Sequence, residues 1–312
     1  MRTEAGSADP GAPEAAAAVV GTAPALWPGL VLAMAGAITF SGKAIIVKLA
    51  YRHGVDAVTL IMYRMLFALP LFALLAWWAG RGKPALTRRD WLVVSGLGFS
   101  GYYLASFLDF AGLAYITASL ERLILYLNPT LVLAIGALFL KRRVTQRQMI
   151  ALAVSYCGVL LVFGHEVSFQ GGEAVLGAGL VFASALSYAV YLVASGVEVG
   201  RLGALRLTGL ATSVACLFCI AQFLLLRPLS ALAVAPEVIW LSVLNATLCT
   251  FAPVVMVMMA IERVGASVAA QTGMIGPVST ILMGVVILGE PFTAWILAGT
   301  VLVLSGIWLL TK

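Results

Sequence analysis

The chain is a succession of apolar runs, each about as long as a bilayer-spanning helix requires, with only short polar breaks between them. A helix needs about 20 predominantly apolar residues to cross the hydrocarbon. Such runs are read near 28–50, 58–80, 91–114, 117–140, 147–164, 174–196, 204–226, 236–261, 264–288 and 292–311. Composition agrees, because mean hydropathy is +1.06 and only 10% of residues are charged, against roughly a quarter in soluble domains. No soluble core could bury this much apolar surface, so most of it must face lipid. The expected class is an all-α membrane protein with ten transmembrane helices.

The basic residues divide unevenly between the two sets of loops. With ten spans, the side holding both termini receives 13 of the 19 Lys and Arg, the other side receives three (Lys48, Arg52, Arg227), and Lys43, Arg64 and Arg122 lie within spans. Cytoplasmic loops carry the excess of Lys and Arg, which places both termini in the cytoplasm. The expected location is therefore a bacterial inner membrane. The formal charge of +6 follows from those loops, and no nucleic-acid partner is expected. Residues 1–26, rich in Ala, Gly and Pro, read as a disordered tail with none of the charge and apolar pattern of a signal peptide. Cys157, Cys216, Cys219 and Cys249 all fall in apolar runs, so no disulfide framework, metal site or cofactor is expected.

Sliding the chain against itself by 148 residues aligns its two halves. Gly29 falls on Gly177, Pro129 on Pro277, Gly136 on Gly284, Thr145 on Thr293 and Gly158 on Gly306. Apolar coincidences mean little in such a composition, but proline and glycines in one register do. The expected repeats are 27–164 and 174–311. Each contains five spans, an odd number, so the second must enter the membrane upside down. Inverted-topology repeats are an architecture of secondary transporters, where two similar halves exchange inward-open and outward-open arrangements.

Particular residues also carry a family resemblance. Glu121 and Pro129 in ASLERLILYLNP, Pro277 in QTGMIGP, Gly289, Glu290 and Pro291 in ILGEPF, and Gly158 with Gly306 together resemble the EamA-like family of the drug/metabolite transporter superfamily. The first half departs from the pattern, with Lys141, Arg142 and Arg143 where the second has Gly289, Glu290 and Pro291. The resemblance implies a metabolite carrier, often an exporter, and the amino-acid-exporter (YddG-like) branch is the most similar.

An ionisable residue within a span is expensive and points to function. Lys43, Arg64, Asp109, Glu121 and Arg122 all fall in the outer part of the first half, while their mates at +148 are Tyr191, Thr212, Val257, Ala269 and Ala270. These five charges either gate one side or fasten helices, with Asp109–Arg122 and Glu121–Arg64 as the expected ion pairs. Asp109 and Glu121 are also candidates to carry protons. Candidate substrate contacts are Tyr102 and Ser106, which share a helical face with Asp109, together with Ser187, Tyr188 and Tyr191, Asn245, Asn128 and Gln271. Each of these polar residues could equally serve interhelical hydrogen bonding. Pro129 and Pro277 each remove a backbone donor and crowd the carbonyl four residues earlier, and are expected hinges.

The expected function is a secondary carrier, with export as the direction, for small metabolites. Amino acids, aromatic ones included, come first, because a cavity of mixed charge suits a zwitterion. A multidrug or organic-cation exporter is the rival within transport. An integral-membrane enzyme is the rival outside it, although His53 and His165, the two histidines, lie well apart. The partners are a small-molecule substrate, the lipid bilayer and protons as a candidate coupling ion; oligomeric state is open.

Overall fold

The computed structural model describes residues 26–140 and 144–311. The expected tail, apart from Leu26, and the basic run 141–143 lie outside the described residues. Within them the chain is helical, with no strand. The helices are α1 (Leu26–Tyr51), α2 (Ala57–Gly80), α3 (Arg88–Gly98), α4 (Ala105–Leu113), α5 (Ala118–Leu125), α6 (Asn128–Leu140) and α7 (Gln146–Gln170) in the first half. The second half contains α8 (Gly172–Leu202), α9 (Ala204–Leu226), α10 (Pro236–Ala246), α11 (Ala252–Val264), α12 (Ala266–Thr272), α13 (Ile275–Met283) and α14 (Ala294–Thr311).

Among the described residues, eight helical stretches are long and apolar enough to cross a membrane, and two further ones, Ile275–Leu288 and Ala294–Leu310, are apolar but shorter. Their outward faces are apolar: Leu225 is 83% exposed and Leu138 75%. Side chains of this kind left uncovered over a whole bundle belong against lipid. The fourth and ninth apolar runs, expected as continuous helices, are each broken in two. Conversely, α7 runs to Gln170 and α8 starts at Gly172, so a single residue, Gly171 with φ 65°, makes the turn where the sequence predicts a longer loop. Only glycine adopts that backbone readily.

The 148-residue repeat is visible in the backbone. Starting residues Arg88 and Pro236, Ala118 and Ala266, and Gln146 and Ala294 are each separated by that offset. Thr145 and Thr293 cap their helices alike, through Gln148 N–H and Ile296 N–H, each 3.3 Å from the threonine hydroxyl. A threonine oxygen there satisfies one of the orphan amides of a helix start. A π-helical turn joins α3 to α4 at Phe99–Leu104, and another joins α10 to α11 at Thr247–Phe251. Pro253 accounts for the second by withdrawing the donor that Cys249 would have used. The first has no proline.

The packing repeats as well. Helix α1 lies against α11, α12 and α13, and α8 lies against α4, α5 and α6, while α2 packs on α9 and α7 on α14. Gly158 and Gly306 permit the last contact. A Cβ added at Gly158 would sit 2.7 Å from the Gly299 carbonyl, and one at Gly306 would sit 2.7 Å from the Ala151 carbonyl. Small residues let helices approach this closely in lipid.

At one end of the bundle Lys48 Nζ donates to the Ile116 carbonyl at 2.8 Å and Arg52 to the Leu288 carbonyl at 2.7 Å; this is the Thr117 end. At the other, the Asp90 end, Lys83 donates to the Leu202 carbonyl at 3.1 Å and Arg206 to the Pro84 carbonyl at 3.0 Å.

Candidate functional site

The breaks in the fourth and ninth runs fall at Tyr126–Leu127 and Gly273–Met274. Pro129 is the second residue of α6 and Pro277 the third of α13, positions where a missing N–H costs a helix little. The carbonyls four residues earlier find side-chain donors. Asn128 Nδ2 donates to the Leu125 carbonyl at 2.7 Å, and the Tyr126 hydroxyl donates to the Gly273 carbonyl at 2.9 Å. The expected bends are thus full interruptions of the helix, and one is tied to the other.

Beside them lies a cavity of about 540 Å³. Residues Phe40 and Lys43 of α1, Arg64 of α2, Asp109 of α4, Arg122 and Tyr126, and Thr250 and Pro253 line its Thr117 side. Val199, Ala204 and Thr208 carry it to the junction of α8 and α9, so it reaches toward the Asp90 end. Of the expected substrate contacts, Tyr102, Ser106, Asn128, Tyr188 and Tyr191 line it. Tyr102 and Tyr191 meet edge to face with hydroxyls 3.0 Å apart, and Tyr188 stacks on Tyr191. Gly101 makes room for this wall, since a Cβ there would lie 2.8 Å from that of Tyr191. Three candidates stand elsewhere. Ser187 spends its hydroxyl on the Ser100 carbonyl at 2.8 Å, Asn245 is buried with Nδ2 3.4 Å from the Lys43 carbonyl, and Gln271 is exposed.

The five intramembrane charges converge, but not in the expected pairs. Lys43 Nζ is 2.5 Å from Asp109 Oδ2 and 3.0 Å from Glu121 Oε1. One lysine therefore serves both carboxylates, and neither arginine pairs with an acid. Arg64 Nε donates to the Thr250 hydroxyl at 3.0 Å, and Arg122 Nη2 donates to Ser41 Oγ at 3.1 Å. Their guanidiniums lie over aromatic rings, Arg64 over Phe110 at 5.0 Å and Arg122 over Phe40 at 5.0 Å and Tyr126 at 5.3 Å. The expected Asp109–Arg122 and Glu121–Arg64 pairs fail because pairing depends on which helix faces meet, and α1 brings Lys43 between α4 and α5. Lys43, Arg64, Asp109 and Arg122 line the cavity; Glu121 lies behind them, 0% exposed.

A second layer closes the Thr117 end. Glu290 accepts from Ala118 N–H at 2.7 Å and from the Ser119 hydroxyl at 3.0 Å, while Glu166 accepts from the Thr117 hydroxyl. Both carboxylates sit at the start of α5, where exposed amides favour negative charge. Sequence reading singled out Glu290 only through the family resemblance and passed over Glu166, Tyr126, Phe40 and Ser41. Tyr126 was findable as the residue one turn after Arg122; Ser41 and Phe40 carried no signal among apolar neighbours.

Residues 27–164 and 175–312 each match the EamA-like transporter family. The chain is 29% identical over 269 residues to the uncharacterized transporter YcbK of Bacillus subtilis (strain 168), spanning 84% of this chain and 86% of that protein. It is 24% identical over 284 residues to the uncharacterized transporter YetK of the same organism, spanning 90% and 86%. A solved crystal structure superposes with a TM-score of 0.62 at 16% identity, covering 90% of this chain and 96% of that one; this likeness speaks to fold alone. With both halves matched by the family and its helices packed as two repeats around one cavity, the chain belongs to the EamA-like transporter family.

Proposed function

We propose that this protein is a secondary transporter that exports small metabolites, amino acids including aromatic ones first, across the inner membrane by alternating access. The two halves are inverted five-helix repeats, with both termini in the cytoplasm and the Thr117 end outward. The observation that carries the reading is the cavity: about 540 Å³, lined by both repeats, and bordered toward one end by charges that their mates in the other repeat lack. Its size falls in the range of small-molecule sites. The wall of Tyr102, Tyr188 and Tyr191 suits an aromatic or apolar body, and the charged floor suits the polar head of the same solute. The two helix breaks supply the discontinuous helices on which substrate sites of inverted-repeat carriers are built.

On this reading the cavity opens toward the cytoplasm past Val199, Ala204 and Thr208, and two layers, Lys43–Asp109–Glu121 and Glu290–Glu166, seal the outside. Transport requires both layers to part while the Asp90 end closes. The test is purified protein in liposomes supplied with labelled amino acids, with and without a proton gradient. Protein-dependent flux is expected. No flux across a broad panel that includes organic cations sinks the carrier reading, and a gradient-dependent rate assigns proton coupling.

A further inference from the structure

We propose that the cavity recognises its substrate by an anionic group, a carboxylate, seated against Arg64 and Arg122, so that organic cations are excluded; this rests on the transport reading above. The argument begins from charge balance. The buried cluster contains three cations, Lys43, Arg64 and Arg122, and two carboxylates, Asp109 and Glu121. Lys43 contacts both carboxylates, and among the described residues the direct partners of the two guanidiniums are hydroxyls and ring faces.

Arg64 is 5% exposed and Arg122 4%, and both line the cavity. Arg64 Nη1 and Arg122 Nε have no hydrogen-bond partner. A guanidinium stays charged under any physiological condition and holds five donors in a planar fork matched to a carboxylate. Ring faces attract it but satisfy none of those N–H groups. A buried ionic group short of hydrogen bonds and counter-charge is costly, and an anion arriving from the cavity reduces both deficits at once. A cation arriving there meets two like charges, and Asp109, the acid lining the cavity among the described residues, is already held by Lys43. An α-amino group is thus tolerated, not required.

The experiment uses the purified full-length protein and three probes of one shape and different charge: 3-phenylpropanoate, phenylalanine and 2-phenylethylamine. Ligand-induced thermal stabilisation in detergent is the readout. The acid and phenylalanine are expected to stabilise the protein and the amine is not. Arg64→Gln and Arg122→Gln each weaken the response to the acid roughly 10- to 100-fold in apparent affinity, the loss of one charge-assisted contact, and Arg122→Lys recovers part of it. Should Arg122→Gln fail to fold, Arg64→Gln and Arg122→Lys carry the comparison. Stabilisation by the amine equal to that by the acid, no response to either carboxylate, or wild-type affinity in both arginine variants overturns the proposal. Flux in the same liposomes keeps the two readings apart. Acid binding without transport leaves the seat standing and removes the carrier, whereas transport indifferent to both arginines does the reverse.

Discussion

The Tyr126 hydroxyl donates to the Gly273 carbonyl at 2.9 Å, so the break in one repeat is bonded to the break in the other. The contact lies close to the charge cluster, because Tyr126 also underlies the Arg122 guanidinium at 5.3 Å. Ser41 of α1 joins the same junction. Its oxygen accepts from Arg122 at 3.1 Å and lies 2.9 Å from the Gly276 carbonyl, within reach of its own hydroxyl hydrogen. Movement of either break relative to the other must therefore disturb Arg122.

Tyr126→Phe tests that coupling. The Gly273 carbonyl keeps its bond from Gly276 N–H at 3.0 Å, so the stability lost is only that of one interhelical hydrogen bond, about 0.6 kcal/mol. Transport is expected to change more than this small loss implies. Thermal unfolding and liposome flux measured on the same preparation decide it; an unaltered rate means the breaks move independently of this bond.

Lys43→Met leaves Asp109 and Glu121 buried without their shared cation. Removing one partner of a buried ionic group typically destabilises by about 3–5 kcal/mol, which thermal unfolding in detergent would register as a large drop in Tm. Adding Asp109→Asn and Glu121→Gln to that variant removes the stranded carboxylates, so part of the stability should return, the remaining deficit lying with Arg64 and Arg122. If transport returns with it, the charges only fasten helices; if stability returns and transport does not, they gate.

Pro277→Ala and Pro129→Ala each restore an N–H next to a helix break. Stability is expected to stay level or rise, while flux falls by about tenfold, equivalent to about 1.4 kcal/mol on the rate-limiting step. Wild-type flux in both variants would show that the breaks are static.

Acid sensitivity has a defined contributor outside the spans. Asp56 caps α2, accepting from the Thr59 hydroxyl at 2.7 Å and from Val58 N–H at 3.0 Å, and pairs with Arg227 at 3.0 Å. Partial burial works against its charged form, but the Thr59 donors and Arg227 outweigh it and hold its carboxyl below the usual range. A carboxyl with a depressed folded pKa stabilises at neutral pH and loses that contribution as pH falls below about 4. Asp56→Asn should therefore be less stable at pH 7 and show a shallower decline on acidification, measured by unfolding across pH 3–7.

Orientation is checked by Gly82→Cys in the segment between α2 and α3, with exposed Cys157 replaced. Impermeant thiol reagent applied to intact cells should leave position 82 unlabelled, because the proposed orientation puts the Asp90 end in the cytoplasm. Labelling from outside reverses the assignment.

Some of this was legible in the sequence because its physics is local. A run of apolar residues announces a span whatever surrounds it, and 148-residue register between Pro129 and Pro277 or Thr145 and Thr293 announces a duplication. The threonine caps and the consequences of each proline follow from backbone chemistry within one turn. The position of Tyr188 and Tyr191 on one face of α8 was legible for the same reason.

The ion pairs were not. In a soluble helix an apolar stripe marks the inward face, but here lipid is as apolar as the core, so periodicity does not reveal which side of α1, α4 or α5 meets a neighbour. Asp109 and Glu121 therefore offered themselves to any of three cations, and only the placement of Lys43 within reach of both α4 and α5 assigned both to it. The sequence by itself determined that most of the chain must hide its backbone from lipid in apolar helices, that Pro129 and Pro277 disturb the fourth and ninth runs, and that the two halves share one register. The tertiary structure decided which charges are satisfied and which guanidiniums remain facing the cavity, because that depends on the rotation of each helix about its axis, a quantity no apolar sequence encodes locally.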